Sequence, residues 1–189
     1  MKKLLAVILM GAMAISLIAC GKQGSVDDGA GIREYNPDEN VVYIDDEYTA
    51  LIGSLDAGLT AEESARAAQL NQMAKAAFNA CNEQRKAVGL PLYVWSDELA
   101  VAAQVRAKEC VQSFSHVRPD GTTYWTVNSK IVYAENLAKN YFDAPSVVSG
   151  WMNSPTHRAN VLDSTLRTLG IALYEDANGT LYWAQEFGY

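Results

Sequence analysis

A chain of 189 residues that is 49% hydrophobic and carries a net charge of −7 can build one sizeable core. It is too acidic to favour phosphate backbones, and no Lys/Arg cluster interrupts the balance, so nucleic acid is not an expected partner.

The N-terminus reads as an export signal. Lys2 and Lys3 precede an apolar run from Leu4 to Ile18, which closes on Leu17-Ile-Ala-Cys20 and Gly21. That run is shorter than the roughly twenty residues a spanning helix needs. A Cys at the cut, with Leu three residues before it, resembles the lipobox of bacterial lipoproteins. The resemblance implies that residues 1–19 are removed and that Cys20 becomes the lipidated first residue. The mature chain would then be held at the outer face of a bacterial membrane. Residues 20–60 follow as an acidic stretch in which only Lys22 and Arg33 oppose Asp27, Asp28, Glu34, Asp38, Glu39, Asp45, Asp46 and Glu47. Such a run is expected to be a solvated spacer, with Val41–Ile44 and Tyr48–Ile52 as segments able to dock as a short strand or turn. Its acids lack the spacing of a calcium loop.

Thr60-Ala-Glu-Glu63 has the form of a capping box and predicts a helix from Ala61 to Val88, broken near Asn71 and stopped by Gly89. Pro91–Trp95 predicts a short extended connector, and Ser96 a cap for a second helix running through Val111. Cys81 and Cys110 fall in these two helical patterns, and the short connection makes the helices antiparallel neighbours. In an exported protein a disulfide between them is expected; the alternative is two buried thiols. Residues 114–130 read as loop, with the tight-turn chemistry of Arg118-Pro-Asp-Gly121. A third helix is predicted over Ala144–Asn153, and Ser154-Pro155 opens another to about Leu162. Leu169–Tyr174 and Thr180–Phe187 are rich in β-formers and flank Asp176-Ala-Asn-Gly179, a hairpin signal. Together these elements predict an α+β domain over residues 61–189, a three-layer α/β/α sandwich with a small, mostly antiparallel sheet.

The chemistry-bearing residues are few. The chain has two histidines, His116 and His157, and with Glu135 they could hold a divalent metal or share proton transfer. Their settings are Phe114-Ser-His116 with Arg118-Pro-Asp-Gly121, Ala134-Glu-Asn-Leu-Ala138, and Trp151 to Asn160. With Asn82-Glu-Gln-Arg85, Gly89-Leu90 and the closing Tyr182-Trp-Ala-Gln-Glu-Phe-Gly188, these segments resemble, in order, the CAP superfamily of cysteine-rich secretory, antigen 5 and pathogenesis-related class 1 proteins. The match is to its bacterial branch and covers Asn71 to Tyr189. The resemblance implies a cavity lined by His116, Glu135 and His157. Animal members add a second Glu where this chain has Ser154, so a weaker zinc or similar site is expected, with His116, His157 and Glu135 as its ligands. Glu186 is an unfavoured replacement, because strand alternation sets it on the face opposite Trp183, Gln185 and Phe187.

Two functions follow from that cavity. The first is a binding module for a lipid, peptide or envelope ligand. The second is a metal-assisted peptidase or esterase using the same residues. Ser115 beside His116 is no nucleophile pair, since adjacent residues rarely point together, and no G-x-S-x-G elbow is present.

Overall fold

The computed structural model describes residues 60–189 and a two-residue strand, β1, Ser25–Val26. Residues 1–24 and 27–59, with the signal, Cys20 and both docking segments, lie outside the described residues.

Thr60 and Glu63 exchange both bonds of the capping box, at 2.8 and 3.2 Å, and start helix α1, Ala61–Ala87. The expected break at Asn71 does not occur. Asn71 is exposed, and its weak helix propensity is outweighed by the turns on either side. Gly89 ends the element with φ +75°. Strand β2, Val94–Trp95, leads to helix α2, Asp97–Gln112, whose Ser96 cap accepts from Leu99 N–H at 3.2 Å. A 3₁₀ turn at Tyr124–Val127 precedes strand β3, Ala134–Lys139. Helices α3, Ala144–Asn153, and α4, Pro155–Val161, meet at Ser154. Strands β4, Thr168–Glu175, and β5, Leu181–Gly188, form the predicted hairpin, with Asp176 N–H bonded to Thr180 O at 3.0 Å.

The sheet order is β1-β3-β5-β4-β2, antiparallel except where β2 runs parallel to β4. Alternation along its strands makes two faces. Ala134, Ala138, Ile171, Trp183 and Phe187 pack with α1, α3 and α4 in the larger core. Leu137, Ala172 and Ala184 point the other way, onto Ala103, Ala107 and Cys110 of α2. The result is an α+β domain in three layers. On the α2 face the sheet is paved with small residues, and α2 comes very close. A Cβ added to Gly170 would sit 2.1 Å from Ala100 N.

This layering overturns the expected disulfide. Cys81 belongs to the core on the α1 face and Cys110 to the core on the α2 face, and both are free, buried thiols. A sheet stands between them, so α1 and α2 are not the neighbours that a short connection suggested. Burial pushes each thiol up to about 12, far from nucleophilic use at neutral pH.

Candidate functional site

Glu135 is the second residue of β3, and Glu186 is its cross-strand partner on β5. Both side chains therefore lie on the α2 face, and both residues are fully buried. Alternation does take Glu186 away from Trp183, Gln185 and Phe187, as expected. That is the side Glu135 occupies too, so the expectation that Glu186 stands apart from the site is corrected.

The positive charge comes from α2. Arg106 Nε donates to Glu135 Oε2 at 2.7 Å and Nη2 to Glu135 Oε1 at 3.2 Å, a two-pronged ion pair. Nη1 donates to Glu109 Oε2 at 2.5 Å, and Nη2 also donates to Ser115 O at 2.7 Å. Glu109 accepts in turn from Arg118 Nη2 at 2.7 Å. Arg118 is held by its tight turn, closed by Gly121 N–H to Arg118 O at 2.9 Å with Gly121 at φ +85°.

His116 completes the group. Its Nδ1 lies 2.6 Å from Glu135 Oε1, and its side chain keeps 12% of its surface exposed. Burial by itself would raise Glu135, but the His116 hydrogen bond and the Arg106 charge outweigh burial and hold it below the usual range. An ionised Glu135 makes Nδ1–H the donor, which fixes both tautomer and ring plane. Glu186 goes the opposite way. Burial, the largest cause, and the adjacent Glu135 charge raise it well above the normal carboxyl value. Among the described residues neither Glu186 oxygen has a hydrogen-bond partner, so nothing offsets that burial. The site thus sets two buried carboxyls with opposed shifts beside one arginine and one imidazole.

Ser154 and His157 belong to the α3–α4 junction and to α4. Asn136 alternates with Glu135 and faces the α1 side, where its amide donates to His157 O at 3.1 Å. His157 is fully buried on α4. Ser154 joins α3 to α4, its hydroxyl 3.2 Å from Thr156 Oγ1. The Asn160 amide donates to Asn136 Oδ1 at 2.8 Å, Asn136 to Gln185 Oε1 at 2.9 Å, and Gln185 to Cys81 Sγ at 3.2 Å. This amide ladder anchors α4 to the sheet.

Of the donors expected for zinc, His116 and Glu135 are in direct contact at 2.6 Å, while His157 is buried on α4 and placed by its carbonyl bond from Asn136. Among the described residues no group of three or more His, Cys, Asp or Glu is arranged to hold a metal ion. The residues present do not fit a metal centre built from His116, Glu135 and His157.

Arg106 and Glu109 are the residues that sequence reasoning missed. A signal existed: Arg106 falls on the same helical stripe as Leu99, Ala103 and Cys110, all buried. A charge on an inward stripe needs a buried partner.

A family model described as the cysteine-rich secretory protein family, CAP, matches residues 78–187. Among solved structures, an extracellular protein containing an SCP domain from Bacillus anthracis superposes with a TM-score of 0.59 at 27% identity. That alignment covers 69% of this chain and 44% of the other. An outer surface protein of Borrelia burgdorferi gives a TM-score of 0.54 at 22% identity over 60% of this chain and 90% of its own, a likeness of fold. An uncharacterized membrane protein of Bacillus subtilis is 46% identical over 39 residues, 21% of this chain and 11% of that protein. The chain thus spans about a tenth of that relative and less than half of the B. anthracis protein.

Proposed function

The chain belongs to the cysteine-rich secretory protein (CAP) family, and on that premise we propose that it is an extracytoplasmic, lipid-anchored module that binds an envelope, lipid or peptide ligand at His116. One observation carries the choice of binding over turnover: the site's charges are spent on one another. Glu135 and Glu186 are fully buried, Glu135 is occupied by Arg106 and His116, and Glu109 by two arginines. A general base must reach its substrate's proton, and neither buried carboxylate can. Ser115 Oγ accepts from Val117 N–H at 3.1 Å, and among the described residues no base is hydrogen-bonded to it. What remains for a ligand is the 12% of the His116 side chain left at the surface, its Nε2 buried and its Nδ1 held by Glu135, beside Val117, which is 49% exposed.

Support for an exported address comes from the signal-like N-terminus, from the extracellular and outer-surface relatives, and from the described helices, none of which is long and apolar enough to cross a membrane. Anchoring is checked by fractionation: Cys20→Ala is expected to move the protein out of the membrane fraction, and an unchanged distribution would refute it. For the site, the mature chain is titrated with peptides, short-chain phospholipids and solubilised cell-wall fragments, with His116→Ala alongside. Binding lost in the variant supports the reading. Peptide or ester hydrolysis abolished by His116→Ala would replace it with the hydrolase.

A further inference from the structure

β1 says where the anchor must lie. It pairs antiparallel with the free edge of β3, Ser25 opposite Lys139 and Val26 opposite Ala138. In that register Ser25, through which the preceding chain joins β1, sits opposite the last residue of β3, next to Asn140, Tyr141 and Phe142. Cys20 is five residues before Ser25, a reach of at most about 18 Å fully extended. A domain of this size is about 36 Å across. The tether is therefore too short to let any end but the nearer one meet a bilayer. A forty-residue spacer, by contrast, would reach about 140 Å and impose no orientation.

The near end is built for contact. Phe142 is 54% exposed on a turn that is fixed from both sides. Asn140 takes a left-handed φ of 64° and donates its N–H to Leu181 O at 3.0 Å. Trp183 Nε1 donates to Tyr141 O at 2.9 Å, and Asp143 caps α3 through Ser146 N–H at 2.7 Å. A large aromatic held out of the core on a rigid turn suits the membrane interface, where an apolar ring lies among headgroups. Glu135 lies four residues back along β3, about 13 Å farther from the anchor, and His116 beside it.

We propose that the β1–β3 pairing seats the lipid-anchored domain with the Asn140–Phe142 turn on the bilayer, Phe142 inserted, and the His116 site turned away from the membrane. This rests on lipidation of Cys20 as read above. The turn meets the membrane by apolar contact: Asp143 and Asp176 lie near this end, and of its described cations Arg66 is paired with Glu175 and Lys139 lies over the Phe114 ring.

The test uses the full lipidated chain in phosphatidylethanolamine–phosphatidylglycerol vesicles. An environment-sensitive fluorophore is placed on Phe142→Cys or on Val117→Cys, while Cys81 and Cys110 stay buried and unlabelled. Expected is a blue-shifted label at 142, quenched several-fold more by lipid-borne quenchers than the label at 117. Inserting twelve Gly/Ser residues between Gly21 and Lys22, which leaves the domain untouched, is expected to abolish the difference. Retained anchoring with both labels in water, or with 117 the more quenched, overturns the orientation and leaves the anchor standing. Full quenching at 142 despite the insertion overturns the role of β1. Protein that partitions like Cys20→Ala refutes lipidation itself, and this inference with it.

Discussion

Arg106 decides whether the site can exist, because its guanidinium pairs with buried Glu135 beside a second buried carboxyl, Glu186. Its replacement by Ala leaves Glu135 charged and without its ion-pair partner, at an expected cost of about 3–5 kcal/mol in urea unfolding. Glu186 tells the opposite story. Unfolded, its carboxyl releases a proton near pH 4.3, whereas folded it keeps the proton well above that value. Its contribution is therefore complete below about pH 4.3 and is lost as pH rises toward the raised folded value. Glu186→Gln keeps a neutral polar group and removes this loss. Its stability relative to wild type is expected to climb as pH rises from about 4.3 toward the raised folded value, by up to about 1.4 kcal/mol per unit. A difference that is flat with pH would show Glu186 already ionised. Glu135 runs the other way, stabilising above its unfolded value and losing that contribution as pH falls through its depressed one.

At the scale of elements, the contact of α2 with the sheet sets the site's geometry. Gly170 neighbours Glu186 across the β4–β5 pair, and a methyl there would strike the backbone of α2. Gly170→Ala is expected to cost about 3 kcal/mol and to loosen the His116–Glu135 contact, visible as a shifted His116 ring signal by NMR. Gly179→Ala, in the open hairpin turn at φ +76°, is expected to cost only about 1–2 kcal/mol. The capped helices and the hairpin were legible because caps and turn residues act locally: Thr60, Ser96 and Asp176 each bond within five residues of themselves. β3 was not legible. Ala134-Glu-Asn-Leu-Ala-Lys139 is poor in β-formers, and it is a strand because β5 pairs along its whole length.

For the whole molecule, the sheet is a partition, and what lies on either side of it cannot cooperate directly. That applies to the cysteines, so the mature chain is expected to titrate both thiols, Cys81 and Cys110, in urea without reductant, with a melting midpoint indifferent to dithiothreitol. Among the described residues no three donors are arranged to hold a metal, so any zinc affinity is expected to survive His157→Ala unchanged in titration calorimetry, and a joint requirement for both imidazoles would restore a single centre.

The sequence by itself determined the family pattern, the helices, the hairpin and the identities of His116 and Glu135, since each is encoded by neighbours along the chain. Only the tertiary structure decided which of them meet. Alternation assigns a side chain to one of two faces, but only pairing relates the faces of different strands. The Glu135–Glu186 register joined two carboxyls that the sequence had kept apart, and the layers parted Cys81 from Cys110.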